Sequence, residues 1–162
     1  QGSTEIERLV DVDGRLLVME DGQTVVATGY QGQVMAIDIR SGRPLWVKET
    51  SSYVGAADNF GTVYVVAADG SVNAIADNGQ GALWTQTVLA RRELTEPAVF
   101  GGAIAVGDFE GYLHVLAKDD GRLLARTRAD SEGLRAPMIA DDKLLYVYGN
   151  SGELIAYKLQ DR

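Results

Sequence analysis

The sequence has no cysteine, a single histidine and only three prolines. Without cysteine the chain has no disulfides, no thiolate metal ligands and no thiol nucleophile, and its redox compartment stays undetermined. The one histidine, His114, has no second imidazole with which to form a zinc site. No nucleophile or orienting partner can be assigned to it as a catalytic base. We therefore interpret His114 as structural and expect neither an enzyme nor a bound cofactor.

Long apolar runs, phosphate-binding motifs and basic stretches are also missing. No segment reaches the roughly 18 to 20 apolar residues that cross a membrane. No G-x-x-x-x-G-K-[ST] loop is present, and Gly79-Gln80-Gly81 lacks the third glycine of a dinucleotide fingerprint. The net charge is −8, so neither nucleic acid nor an anionic membrane is expected as a direct partner. The first residues show no signal peptide and resemble the middle of a longer protein.

Glycine, by contrast, is abundant, with 19 residues, and four of these glycines form a pattern. A polar residue followed by glycine recurs between apolar runs, at Gly32, Gly70, Gly111 and Gly152. The glycines are 38, 41 and 41 residues apart. Each pair predicts a tight hairpin, because the turn needs a positive φ that glycine adopts readily. A period near 40 residues, centred on a hairpin, indicates a repeated β unit.

The repeat divides the chain into four predicted units of short strands. The units cover residues 15–49, 53–87, 97–128 and 136–159, and residues 1–14 form an interblade loop or the end of a preceding unit. Apolar runs predict four strands in each of the first three units and three in the last. The first strand of the second unit is predicted at residues 53–57, and that of the fourth unit at residues 136–140.

The third strands of the units align into columns of apolar residues. One column holds Val34, Val72, Leu113 and Leu154, a second Ala36, Ala74, Val115 and Ala156, and a third Ile37, Ile75, Leu116 and Tyr157. Both faces of these strands are apolar, which predicts sheets covered on both sides. Sheets stacked radially meet this requirement, so the sequence predicts an all-β propeller with about four antiparallel blades.

Two tryptophans mark the last strand of the first two units. Trp46 and Trp84 each lie fourteen residues after the hairpin glycine, and Ala125 takes the equivalent third position. We interpret both as core aromatics that fill the gap between adjacent sheets.

Residues 36–46 have the form A-x-D-x-x-x-G-x-x-x-W. This pattern resembles the repeat of propellers related to the pyrroloquinoline-quinone (PQQ) dehydrogenases, in which the blade-closing tryptophan docks onto a neighbouring blade. WD-repeat propellers fit less well, because Trp46 is followed by Val47 and Trp84 by Thr85 rather than by aspartate.

Within that superfamily the chain resembles the BamB family, the lipoproteins of the bacterial outer-membrane β-barrel assembly machinery. The segments that carry this resemblance are residues 3–13, 36–42, 82–86 and 106–113. The resemblance implies the C-terminal half of an eight-bladed ring, without its lipidated cysteine, on the periplasmic face of the outer membrane. It also implies a non-enzymatic scaffold that holds a POTRA domain of BamA by β-augmentation at propeller loops, and nascent outer-membrane proteins as further partners.

The family's R-L-x-D-V-D loop corresponds to residues 8–13, so the resemblance assigns partner binding to Arg8, Leu9, Asp11 and Asp13. Another part of the family's interface lies in the half that is missing. Two other interpretations of Asp11-Val12-Asp13-Gly14 stay open. One is a plain polar turn, and the other is a calcium loop, although the twelfth position of such a loop is Gly22 instead of glutamate.

Two other functions also stay open: a PQQ- or quinone-dependent dehydrogenase, and a generic propeller that binds an unrelated partner. Half a ring would leave apolar faces uncovered, so we expect pairing with the missing N-terminal half or with a second copy. An alternative is that residues 3–10 supply the missing strand of the fourth unit and close a four-bladed ring.

Overall fold

The computed structural model describes residues 14–29, 32–141 and 143–159. Within these ranges the chain forms fifteen strands in four antiparallel sheets and no helix, which confirms the predicted all-β class. Three sheets have four strands, and the last sheet has three in the described residues.

Each sheet takes its strands in chain order, and the sheets are numbered here as blades 1 to 4. Blade 1 contains β1 (Leu17–Val18), β2 (Thr24–Thr28), β3 (Gln33–Asp38) and β4 (Pro44–Glu49). Blade 2 contains β5 (Ala56–Asn59), β6 (Thr62–Val66), β7 (Val72–Ala76) and β8 (Ala82–Gln86). Blade 3 contains β9 (Ala98–Phe100), β10 (Ala103–Gly107), β11 (Tyr112–Ala117) and β12 (Leu123–Arg128). Blade 4 contains β13 (Ile139–Ala140), β14 (Leu144–Tyr148) and β15 (Leu154–Lys158).

The blades are arranged radially. The first strands of neighbouring blades contact one another, β1 with β5, β5 with β9 and β9 with β13. The last strands are the most exposed, and every residue of β12 is exposed. The first strands therefore lie on the inside and the last strands at the rim, which is the arrangement of a β-propeller.

The core is divided into layers between the blades, because successive side chains of a strand point to opposite faces. In β6, Val63 and Val65 pack in the layer toward blade 1, whereas Tyr64 and Val66 pack in the layer toward blade 3. A third layer joins blades 3 and 4 and includes Leu145 and Val147 of β14. Each middle blade is thus covered on both faces, as the apolar columns predict.

The outer face of blade 4 differs from this pattern. Strand β15 alternates between exposed and half-buried residues. The expectation of two covered faces is therefore wrong for this strand, whereas the expectation that half a ring leaves an apolar face uncovered holds for blade 4. The exposed apolar side chains on blade 4 include Ile139, Tyr148 and Leu154, which are 70%, 51% and 68% exposed. None of the described blades packs on this side, which is the physical reason for the difference.

The four recurring glycines lie in four equivalent hairpins between the second and third strands. In each hairpin a backbone amide donates to the carbonyl four residues later at 2.8–3.0 Å: Gly29 to Gln33, Ala67 to Ser71, Asp108 to Tyr112 and Gly149 to Glu153. The glycine precedes the accepting residue and has a positive φ: +120° at Gly32, +85° at Gly70, +84° at Gly111 and +92° at Gly152. These loops are the three-residue type that ends in a left-handed residue.

Each tryptophan docks on a glycine of the next blade. The Trp46 indole covers Gly79 in the turn between β7 and β8, and Trp84 covers Gly121 between β11 and β12. A β-carbon at either glycine would lie 2.5 Å from an indole carbon. The Trp84 Nε1–H also donates to the Lys118 carbonyl at 2.7 Å. Ala125 has the equivalent register in β12, so blade 3 lacks this contact with blade 4.

Two predicted strands begin later than expected. Strand β5 begins at Ala56 instead of residue 53, because the Ser52 hydroxyl donates to the Val54 carbonyl at 3.1 Å and holds these residues in a loop. Strand β13 begins at Ile139 instead of residue 136, because only two residue pairs join it to β14. The alternative in which residues 3–10 close the ring lies outside the described residues.

Candidate partner-binding face

One end of the propeller collects all the connections between blades. The loops at residues 50–55, 87–97 and 129–138 lie at this end, together with the four glycine hairpins. We call it the loop face. The opposite end, the turn face, carries the turns from first to second and from third to fourth strands. A binding surface built from interblade loops can therefore form only on the loop face.

The predicted partner-binding residues Arg8, Leu9, Asp11 and Asp13 lie outside the described residues, so both aspartates of the alternative calcium loop lie outside them too. Gly14, the next residue along the chain, is described. A β-carbon at Gly14 would overlap the Thr28 hydroxyl and the Val54 carbonyl, and this hydroxyl donates to this carbonyl at 2.8 Å. The segment 8–13 is therefore joined to the described chain on the loop face.

An ion pair crosses the inner part of this face. Arg15 precedes β1 and Glu96 precedes β9, and their side chains meet at 2.6 Å between Nη2 and Oε1. Glu96 is 6% exposed. Burial raises the pKa of Glu96, although the Arg15 guanidinium opposes this. The pair connects blade 1 directly with the loop before blade 3.

A buried charged cluster centred on Asp108 fixes the loop between blades 2 and 3. The Asp108 carboxylate is completely buried and accepts from Arg92 Nη1 at 2.8 Å and from His114 Nε2 at 2.8 Å. It also accepts from the backbone amides of Glu110 and Tyr112. Arg92 pairs with Glu110 as well, at 2.8 Å. Four groups thus hold the loop and the hairpin in one geometry.

The hydrogen bonds of His114 indicate which nitrogen carries its proton. Nε2 faces the Asp108 carboxylate and therefore donates, which makes Nδ1 an acceptor in the neutral ring. Nδ1 is buried and has no hydrogen-bond partner among the described residues. A second proton on Nδ1 would have no acceptor. Burial accordingly lowers the pKa of His114 below its ordinary 6.5, although Asp108 opposes this.

Burial alone would raise the pKa of Asp108, but hydrogen bonds from His114, the Tyr112 amide and Arg92 outweigh it and lower that pKa. The Asp108 pKa lies below its ordinary value, so its contribution to stability is present above that value and is lost in strong acid.

The pH dependence of stability reports on His114. Near and below pH 6.5 the unfolded chain binds more protons at this residue than the folded chain, so His114 makes the free energy of unfolding fall as the pH falls. The slope it contributes reaches about 1.4 kcal/mol per pH unit at most. Urea denaturation at pH 7.5, 6.5 and 5.5 measures it. We expect His114→Gln, whose side-chain amide nitrogen takes the place of the imidazole Nε2 and can still donate to Asp108, to remove this part of the slope.

The variant is needed as a reference because two carboxyl groups oppose this effect. The pKa values of Glu96 and Asp58 are raised, so these groups make the free energy of unfolding rise as the pH falls toward those values. If the wild type and His114→Gln show the same slope between pH 7.5 and 5.5, the pKa of His114 is not lowered in the folded chain.

A second carboxylate fixes the loop between blades 3 and 4. Asp130 accepts from the Ser151 hydroxyl and from the Glu132 amide. The Asn150 side chain donates to the Glu132 carbonyl at 2.8 Å. The hydrogen bond from Ser151 is the leading cause that lowers the pKa of Asp130. This loop is therefore tied to the glycine hairpin of blade 4.

An open cleft on the loop face combines arginines with aromatic rings. Its volume is about 430 Å³, and its lining residues are Phe109, Glu110, Tyr112, Arg126, Arg128 and Ser131. The Arg126 guanidinium lies 3.7 Å from the centroid of the Tyr112 ring, and that of Arg128 lies 5.7 Å from it. Neither arginine forms an ion pair with a described carboxylate. The cleft offers cationic groups held by stacking.

The described residues offer neither a cluster of metal ligands nor a helix that could span a membrane. None of their His, Asp and Glu side chains forms a group of three or more that could hold a metal ion. No helix in this part of the chain is long and apolar enough to cross a membrane.

The fold and its loop face define a β-propeller of the PQQ-like repeat class. The family model for the outer membrane protein assembly factor BamB matches residues 1–79 and 68–162. The chain belongs to the BamB family.

Curated relatives agree with this assignment. The chain is 46% identical over 160 residues to BamB of Pseudomonas aeruginosa, covering 99% of this chain and 42% of the relative. It is 43% identical over 162 residues to BamB of Marinobacter adhaerens, covering 99% of this chain and 41% of the relative. The chain therefore spans about two fifths of the length of these relatives.

Solved structures share the fold. BamB from Moraxella catarrhalis matches 93% of this chain and 45% of its own, with a TM-score of 0.83 and 27% identity. The computationally designed Ika4 protein matches 99% of this chain and 94% of its own, with a TM-score of 0.76 and 16% identity. A quinohemoprotein alcohol dehydrogenase from Pseudomonas putida matches with a TM-score of 0.68 and 20% identity. The last two likenesses concern the fold alone.

Proposed function

We propose that the protein is a non-enzymatic scaffold for outer-membrane protein assembly, on the periplasmic face of the bacterial outer membrane. Its loop face would hold a POTRA domain of BamA, with Arg8, Leu9, Asp11 and Asp13 in the contact. Membership of the BamB family supports the assembly role.

The observation that carries the partner-binding part is the position of Gly14. It packs against Thr28 and Val54 on the loop face, so the segment 8–13 is attached there. The loops around it are fixed by buried groups, Glu96 with Arg15 and Asp108 with Arg92. Binding to a preorganised surface loses less conformational entropy than binding to a mobile one. The proposed mechanism is therefore positioning, by a rigid disc that presents its loops.

Further partners are also proposed. The rim strand β12 is exposed along its length and lies at the edge of its sheet, with no described strand paired on its outer side, which suits an extended segment of a nascent outer-membrane protein. The exposed apolar face of blade 4 suits a covering partner, either a further propeller half or a second copy of the chain.

The test of the POTRA contact is a pull-down with purified BamA POTRA domains. We expect the double variant Asp11→Ala/Asp13→Ala to weaken retention at least about tenfold, because charged pairs at interfaces have large coupling energies. The matched control is Asp77→Ala/Asp119→Ala, which removes two exposed carboxylates from the turn face with the same change in net charge. Equal retention of both double variants would contradict the assignment of POTRA binding to the segment 8–13.

The dehydrogenase interpretation rests on the likeness to the quinohemoprotein alcohol dehydrogenase, which at 20% identity concerns the fold alone. Turnover of an alcohol with PQQ and calcium would overturn the non-enzymatic proposal without testing the POTRA contact.

A further inference from the structure

A phenylalanine occupies a turn position that disfavours it. Asn59 pairs with Thr62, so Phe60 and Gly61 alone form the loop of the hairpin between β5 and β6. Their φ values are +40° and +81°. A two-residue hairpin loop with two positive φ values is a type I′ turn. Its first position favours Asn, Asp or Gly, because a bulky side chain is strained at positive φ.

The equivalent hairpin of blade 3 has a related two-residue loop. There Phe100 pairs with Ala103 and the loop is Gly101-Gly102, with a positive φ (+55°) at the first position only, where Phe60 stands in blade 2. The fold is therefore satisfied by glycine. Phe60 also gains no burial in return for its strain, since it is 87% exposed, the highest exposure among the large apolar side chains described. Neither packing nor turn geometry explains a phenylalanine here.

The turn is held rigidly by both neighbouring blades. From blade 1, the Glu20 side chain accepts from the Phe60 backbone amide at 3.3 Å, and the Glu20 amide donates to Asp58 at 2.8 Å. From blade 3, the Lys118 ammonium donates to the Asn59 side chain and lies 5.9 Å from the centroid of the Phe60 ring. Three blades thus hold the backbone of a turn that presents one exposed aromatic ring on the turn face.

The surroundings of the ring are acidic. The Glu20 carboxylate accepts from the Phe60 amide, and the Asp58 carboxylate accepts from the Glu20 amide. A β-carbon at Gly61 would lie 3.4 Å from the Asp77 carboxylate. Burial raises the pKa of Asp58, and the charges of Glu20 and Asp21 raise it further, so these carboxylates are close enough to repel. We call Glu20, Asp21, Asp58, Phe60 and Asp77 the Phe60 patch. Lys118 is the cation that contacts it.

We propose that the Phe60 patch is a second interaction surface, which binds a basic segment of polypeptide on the turn face. An arginine or lysine of the partner stacks on the exposed face of the Phe60 ring, as a cation does in a cation–π contact. Its charge is balanced by the surrounding carboxylates, and its neighbours pack on the ring edge. The negative charge of the patch would repel an anionic lipid surface.

The inference is independent of the POTRA contact, because the two surfaces lie at opposite ends of the strands. Residues 50–55 precede β5 on the loop face, whereas Phe60 follows β5 on the turn face.

The test uses Phe60→Asn, which gives the turn its preferred Asn-Gly sequence and keeps the backbone hydrogen bonds and the carboxylates. The probe is a fluorescein-labelled hexapeptide of alternating leucine and arginine, titrated by anisotropy. We expect saturable binding to the wild type and binding weakened at least about tenfold in the variant, as for an aromatic hot spot. We also expect Tm to rise by about 2–4 °C, because the strain is relieved.

Two controls separate the charge from the ring. Asp77→Asn keeps the shape of an exposed side chain but removes its charge, so it should weaken binding of the arginine peptide several-fold. A leucine–glutamate hexapeptide should not bind the wild type. Equal binding of the arginine peptide by the wild type and Phe60→Asn would overturn the inference, as would no saturable binding at all. A fall in Tm for Phe60→Asn would also overturn it, because Phe60 would then serve the fold. POTRA retention by Phe60→Asn should match that of the wild type.

Discussion

Substituting Trp84 by alanine is expected to lower the free energy of unfolding by about 3 kcal/mol, the lower end of the range for large aromatic residues. The indole packs in the layer between blades 2 and 3, with its ring centroid 6.0 Å from that of Tyr64. The substitution also removes the hydrogen bond to the Lys118 carbonyl. The indole is only partly buried, which argues for the lower end. Urea denaturation at pH 7 measures the change.

The docking of Trp84 on Gly121 has a matched control in Gly42. The two glycines have nearly the same φ, +70° and +67°, in equivalent turns of blades 3 and 1. Nothing lies within 4 Å of a β-carbon at Gly42, whereas Trp84 fills that space at Gly121. We expect Gly42→Ala to cost about 1 kcal/mol, from backbone strain alone. Gly121→Ala should cost at least about 1 kcal/mol more, because the methyl group overlaps the indole.

In the Trp84→Ala background the cost of Gly121→Ala should fall to that of Gly42→Ala, because the overlap is gone. Equal costs for the two glycine variants in the wild type would show that the indole does not dock on Gly121.

The second large effect is expected at Asp108. Its replacement by alanine should lower the free energy of unfolding by about 3 kcal/mol, because it removes one partner of a buried charged cluster. The change leaves His114 Nε2–H and two backbone amides without their acceptor, and it removes one of the two carboxylates that pair with Arg92. Urea denaturation at pH 7 measures the loss, and Asp108→Asn separates charge from shape.

Glu110→Gln is the matched control for Asp108. Glu110 contacts the same Arg92 Nη1 at 2.8 Å, but its side chain is 48% exposed, so we expect a loss below about 0.5 kcal/mol. If both substitutions have equally small effects, the cluster does not fix the loop between blades 2 and 3, and the loop face is less preorganised than proposed.

The sequence predicts the repeated architecture well because its signals are local. Gly70 and Gly111 each need a positive φ within a short loop, and this requirement is visible in the hairpin sequence itself. The columns of small and large apolar residues predict strands covered on both faces, which holds for β3, β7 and β11. Strand β15 departs from the prediction because coverage depends on what packs on blade 4, which the strand's own sequence does not show.

The contacts between blades could be predicted only in part. The position of Trp84 fits a gap-filling role, but its partner Gly121 is 37 residues away and is identified only by the register between blades. The Asp108 cluster joins residues 92, 108 and 114 from a loop, a hairpin and a strand. One signal was available: the residues equivalent to Asp108 in the other hairpins are Gly29, Ala67 and Gly149, so a carboxylate there is an exception.

Phe60 gave no sequence signal of its own, because its place in a two-residue turn depends on the register between β5 and β6. Its interest comes from a φ of +40° and from its exposure, and neither is visible in the sequence. The candidate residues at 8–13 came from the family resemblance, and they stay a prediction.

We propose that the protein binds its assembly partner through the loop face. Hydrogen exchange of the protein with and without BamA POTRA domains tests it most directly. We predict slower exchange of backbone amides at residues 8–13 and in the loops at residues 50–55, 87–97 and 129–138, and unchanged exchange at residues 59–62, 77–81 and 119–121 on the turn face. Protection confined to the turn face, or no change in any of these loops at saturating POTRA domain, would contradict the account.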